Sequence, residues 1–127
     1  MAVVLLYNLS PDKRKKVGVA LTRLGLRGRT VEYAEYGHPV GYLAGREGFA
    51  PAEEYTGENF TSEMMVMSGL ASRQFSTLLD MLRATRATVL LKAVVNENNA
   101  AWNSYELYKA LRTEHDTMLE YRAARKT

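Results

Sequence analysis

Cysteine is absent from this chain of 127 residues. Disulfides, thiolate metal ligands and cysteine nucleophiles are therefore excluded, and the composition fits a reducing cytosol. Histidine occurs only as His38 and His115, with no H-x-x-x-H or H-E-x-x-H spacing, so no zinc signature is present. Long hydrophobic runs are missing too. The opening "MAVVLLYNLS" has no basic residues before its short apolar run and no small-residue cleavage site after it. It is too short to span a bilayer and reads as a buried strand. There is no G-x-S-x-G, no G-x-x-x-x-G-K-S/T and no G-x-G-x-x-G after a strand. The glutamates between residues 47 and 61 lack the D-x-D-x-D-G spacing of a calcium loop. These absences argue against a metal, a cofactor and a catalytic constellation.

What is present suits one domain, residues 1–127, long enough to bury a sizeable core. Its net charge of +3 hides a segregation. Through Val31 the chain carries Lys13, Arg14, Lys15, Lys16, Arg23, Arg27 and Arg29 against Asp12 alone. From Glu32 to Glu63 it carries seven glutamates against Arg46 alone. These are either two solvated surfaces that partly face each other, or a basic stripe that meets an acidic partner, another subunit included.

Val3–Tyr7 reads as a strand, and Ser10-Pro11-Asp12 as a helix start: a cap, a first-turn proline and a favourable charge. Val17, Leu21 and Leu24 share one helix face, and Lys13, Lys16, Arg23 and Arg27 lie on another. Gly25 is placed to end this helix. Thr30–Tyr36 alternates as a second strand would, "GYLAG" suggests a short helix, and 47–61 reads as an acidic loop. Met64–Leu70 is a third strand, followed by a helix capped by Ser72 with Phe75, Leu78, Leu79 and Leu82 inward. Val89–Val95 is a fourth strand. The last helix starts near Ser104 and runs towards Arg122, with Leu107, Leu111, Met118 and Leu119 inward.

The order strand, capped helix, strand, polar turn recurs, which suggests an internal duplication of about 1–46 and 62–127. The predicted class is α/β: a four-stranded sheet from two βαβα-like halves, parallel or mixed, with helices on both faces. A ferredoxin-like α+β layout with an extra C-terminal helix is the alternative, and its open sheet face would need covering.

The run "KAVVNENNAAWNSYELYKAL" poses the sharpest question about a site. Asn103 and Glu106 fit a capping box, Asn96, Asn98 and Asn99 suit a turn, and Trp102 would anchor the junction. The same geometry offers amides at a helix start, where an anion or carbonyl ligand can be held. Lys92 sits mid-strand, as an edge strand uses lysine against aggregation. His38 stands in the turn "YGHPVG", and His115 near the apolar stripe of the last helix. A ligand site at the strand ends would draw on Asn8, His38, Arg46, Lys92, Asn98, Asn99 and Trp102.

"VLLYNL" approaches the first-strand motif of the RNA-recognition fold, but Leu5 replaces the aromatic that would stack a base. Lys13, Lys16, Arg23 and Arg27 retain the chemistry to grip phosphates without sequence preference.

The segments "VVLLYNL", "GYLAGREGF", "EEYTGENFTSEMMVMSGL" and "LKAVVNENNAAWNSYELYKAL" resemble a family of short bacterial proteins built on a domain of unknown function. The second half carries the more specific features: apolar strand, helix, L-K-A-V strand, Asn-containing turn and Trp-led helix. Where the family pattern would place Thr and Pro in that turn, this chain has Asn96 and Glu97. The resemblance implies a bacterial cytoplasmic protein and brings no activity to carry over.

The expectation is a non-catalytic interaction or regulatory module whose partner is a protein or a second copy. Binding of a small ligand or anion at the strand ends, with or without enzyme chemistry, is the alternative, and non-specific nucleic-acid binding the third reading. A membrane partner is not expected.

Overall fold

Local chemistry accounts for most of the elements. The computed structural model describes residues 2–125. β1 (Val3–Tyr7) is apolar and buried along its whole length. The Ser10 hydroxyl then accepts from the Lys13 N–H at 3.2 Å and starts α1 (Pro11–Arg23). The helix stops where Gly25 takes φ of +69°, and the Leu26 N–H returns to the Leu21 carbonyl at 2.9 Å. β2 (Arg27–Thr30), a 3-10 turn (Tyr33–Glu35) and the short helix α2 (Val40–Leu43) follow. An irregular acidic stretch leads to β3 (Met64–Ser68), α3 (Ser72–Ala84), β4 (Leu91–Val94) and α4 (Ser104–Arg125).

Three expectations are corrected. The second strand is Arg27–Thr30 rather than Thr30–Tyr36, so Arg27 lies on that strand and not on a face of α1 with Lys13, Lys16 and Arg23. It lies at the sheet edge, where charged Arg27 and Arg29 are tolerated, while the alternation beyond it belongs to a turn that buries Val31 and Tyr36. α3 is capped by Ala71 rather than Ser72; the Gln74 side chain accepts from the Ala71 N–H at 2.9 Å. Leu107 is buried in α4, but Met118 and Leu119 are 51% and 50% exposed. At about 1.5 Å per residue α4 is roughly 33 Å long, and it outruns the four-residue strand it packs on.

The sheet order is β2-β1-β3-β4. β1 is parallel to β2 and β3 to β4, while β1 and β3 run antiparallel at the centre. The ferredoxin-like alternative would split each βαβ unit with an intervening strand; here the strands of each unit are neighbours. α1 and α3 cover one face, packing Val17, Leu21, Leu78 and Leu82 on Val4, Leu6, Met65 and Met67. On the other face Val40, Leu43, Phe60 and Leu107 cover Leu5, Tyr7, Met64 and Val66. The fold is mixed α/β with helices on both faces.

The halves share one register. Val3 opposite Arg27 and Leu6 opposite Thr30 are repeated by Met64 opposite Leu91 and Met67 opposite Val94. α1 and α3 both have 13 residues, and Gly25 and Arg86, at equivalent positions, both have positive φ. Leu5 faces Val66, and Pro39 bridges Asn103. In each pair a residue meets its own equivalent, so an approximate two-fold axis passes through both.

Candidate functional site

The residues expected at a strand-end site do not converge. Asn8 closes β1 with φ of +60°, and its Nδ2 donates to the carbonyls of Phe60 at 3.0 Å and Ser62 at 3.1 Å. Arg46 and Asn99 lie at the opposite end of the sheet. Arg46 donates through Nε to Ser68 Oγ at 3.0 Å and through Nη2 to the Val95 carbonyl at 3.3 Å. Asn99 Nδ2 donates to the Val94 carbonyl at 3.0 Å, and its Oδ1 accepts from the Asn96 N–H at 2.9 Å. Asn96 Oδ1 in turn accepts from the N–H groups of Asn98 and Asn99. Asn103 and Glu106 form the reciprocal cap, with distances of 2.8 and 3.0 Å.

Within the asparagine-rich run the side chains of Asn96, Asn99 and Asn103 thus bond to its own backbone as a turn and a cap. His38 Nδ1 accepts from the Ala52 N–H at 2.8 Å, and its ring lies 4.9 Å from that of Tyr42. Lys92 is on the edge strand β4 and donates to the Val89 carbonyl at 2.6 Å. Burial first, and nearby Arg83 second, push its pKa down. The Trp102 ring is 37% exposed; its backbone rather than its ring holds the junction, accepting from the Val40 N–H at 2.7 Å.

A different set of side chains does converge. The carboxyl ends of β1 and β2 enclose a cavity of about 340 Å³ lined by Asn8, Arg14, Thr30, Glu32, Tyr36 and Asn59. Arg14 rises from the first turn of α1, and its Nε donates to Thr30 Oγ1 at 2.9 Å. A Cβ on Gly18 would sit 3.1 Å from Arg14 Nη1, and one on Gly28 would sit 3.5 Å from Nη2 and 2.8 Å from Leu21 Cδ1. Glycine inside a helix costs about 0.5–1 kcal/mol relative to alanine, and at position 18 it makes room for this guanidinium. Among the described residues no carboxylate forms an ion pair with Arg14. Tyr36 is only 1% exposed; burial raises its phenol pKa and the Asn8 amide works in the opposite direction.

The two-fold relation supplies an internal comparison. The equivalent cleft, at the carboxyl ends of β3 and β4, has a volume of about 270 Å³ and is lined by Met67, Gly69, Leu70, Phe75 and Val94 among others. Gly69 stands where Asn8 stands, Phe75 for Arg14, Leu79 for Gly18 and Val94 for Thr30. One cleft is polar and its counterpart apolar, on the same backbone plan. Sequence reasoning counted Arg14 only as surface charge; the signal it passed over was Gly18 in the middle of a helix.

The basic face is partly neutralised. Lys13 pairs with Glu63 at 2.7 Å, and Lys16 lies 3.6 Å from Asp12, whereas Arg23 and Arg27 are exposed. Leu5 is fully buried beneath the elements that cover its face, so the position that would stack a base is closed. Among the described residues no three His, Asp or Glu side chains group as metal ligands, and no helix is long and apolar enough to cross a membrane.

One family model matches the chain, and it falls in the second half. Residues 63–118 match DUF3783, a domain of unknown function. The DUF3783 segment takes in β3, α3, β4 and α4 as far as Met118, which is one of the two equivalent halves. The apolar cleft lies inside the DUF3783 segment and the polar cleft outside it. No curated protein and no solved structure matches the chain.

Proposed function

We propose that this protein is a non-catalytic interaction module that self-associates through β4 and α4. One observation carries the reading. Leu90, Val94, Met118 and Leu119, at 50–54%, are the most exposed large apolar side chains among the described residues, and all belong to β4, its approach and α4. Leu90, Leu91, Leu111 and Met118 line one shallow groove of about 290 Å³. Lys92 and Glu114 line it as well. In a two-fold pair, a contact between Lys92 of one copy and Glu114 of the other would be made twice, so the groove carries charges suited to a self-complementary contact. Lys92 also opposes open-ended strand addition at this edge, which favours a closed dimer over a growing sheet.

Sedimentation velocity across a wide range of concentration and salt tests this. The expected result is a dimer that dissociates on dilution, with Leu90→Glu and Met118→Glu monomeric under the same conditions. A monomer throughout overturns self-association, and a dimer that survives both substitutions overturns the assigned surface.

The shared strand registers support reading 1–46 and 62–127 as a duplicated unit joined by the acidic stretch 47–61. A bacterial cytoplasmic setting belongs to the same proposal, in keeping with the cysteine-free composition.

A further inference from the structure

We infer that the cleft at the carboxyl ends of β1 and β2 binds a small organic molecule bearing an oxyanion, phosphate or carboxylate, with Arg14 as its anchor. The first support is the internal comparison. At the equivalent positions the second half builds its cleft from Gly69, Phe75 and Val94, so the fold does not require Asn8, Arg14 and Thr30. Asn8 also ties down the Phe60 and Ser62 carbonyls, but the Arg14–Thr30 pair serves no other element.

The second support is preorganisation. Thr30 fixes Arg14 Nε, and the guanidinium lies over Gly18 and Gly28 with no carboxylate paired to it among the described residues. A planar fork held in place loses little further freedom on binding and matches an oxyanion with two parallel N–H groups. The start of α1 adds the positive end of its dipole, at the strand ends where parallel units receive ligands. A volume of about 340 Å³ lies at the small end of the range for metabolite sites.

The third support concerns the rest of the ligand. Glu32 lines the same cavity. It repels a bare anion but accepts from a hydroxyl or amine, so the ligand carries such a donor beside its oxyanion. Tyr36 and Asn59 offer further polar contacts. The cleft belongs to the first half, away from β4 and α4, so it stands or falls independently of self-association.

NMR titration of the ¹⁵N-labelled full chain tests the inference. The probes are glycerol 3-phosphate and malate, which separate phosphate from carboxylate, with inorganic phosphate as the bare-ion control. Saturable shifts are expected at Arg14 Nε–H and at Asn8, Thr30, Tyr33 and Asn59 with one of the organic probes. The double substitution Arg14→Phe with Thr30→Val copies the lining of the second cleft, and should weaken binding about tenfold or more. Arg14→Gln gives the same readout if the double variant does not fold. Shifts confined to Lys16, Arg23 and Arg27, an equal response to inorganic phosphate, no saturable response, or unchanged affinity in the variants would each overturn the assignment.

Discussion

Tyr7 and Ser104 hold one another inside the core through a hydrogen bond of 2.8 Å, with both residues fully buried. It joins β1 of the first half to the first turn of α4 in the second, and burial pushes the Tyr7 phenol far above its ordinary value. Removing either hydroxyl strands the other in a dry site. Tyr7→Phe and Ser104→Ala should each cost about 1–3 kcal/mol in urea unfolding, and the double variant clearly less than the sum. Strict additivity would contradict the pairing.

Glu35 makes stability depend on acid. Burial alone would raise its carboxyl pKa, but the Glu32 N–H and the Arg29 guanidinium, 3.0 and 2.6 Å away, hold it below the ordinary 4.5. A depressed folded value means that its contribution is present above the ordinary range and is lost as pH falls through the folded value. Glu35→Gln should therefore lower the melting temperature near neutral pH, with the gap to wild type closing as the pH falls below the ordinary carboxylate range. A gap of constant size would show that the carboxylate charge is not what stabilises.

The asparagine turn predicts a sharp contrast between neighbours. Asn99 is 8% exposed and satisfies both the Val94 carbonyl and the Asn96 N–H, whereas the exposed Asn98 takes part through its backbone N–H. Asn99→Ala should cost about 1–3 kcal/mol, and Asn98→Ala no more than about 0.5 kcal/mol. Thermal unfolding of the two variants distinguishes them, and equal losses would refute the assigned bonds.

Gly25 and Arg86 end their helices at equivalent positions, with φ of +69° and +58°. Only glycine enters this region without steric penalty. Arg86→Gly should stabilise by about 0.5–1 kcal/mol, and Gly25→Ala should destabilise by about 1 kcal/mol. Chemical denaturation checks both signs, and a destabilised Arg86→Gly would mean that the arginine side chain makes a contribution of its own.

Much of the fold was legible because its signals are local. Ser10 caps α1, Gly25 stops it, and Asn103 with Glu106 caps α4, each through partners a few residues away. The apolar runs at Val3–Tyr7 and Met64–Ser68 are the buried central strands. Local signals also misled. Alternation over Thr30–Tyr36 has the period of a strand, yet only Arg27–Thr30 finds a strand to pair with. The apolar spacing of α4 continues to Met118 and Leu119 after the sheet beneath it has ended.

By itself the sequence determined the α/β class, most element positions, the caps of α1 and α4 and the absence of cysteine chemistry. It did so because propensity, capping and periodicity act over a few residues. Only the tertiary structure decided the mixed order β2-β1-β3-β4, the two-fold relation of the halves, and the meeting of Asn8, Arg14, Thr30, Tyr36 and Asn59 around one cleft. Those residues come from α1, β2 and three connecting segments, and neither spacing nor composition encodes which strand edges pair. Sheet order arises from burying both faces at once, and the cleft exists only after that burial has brought the strand ends together.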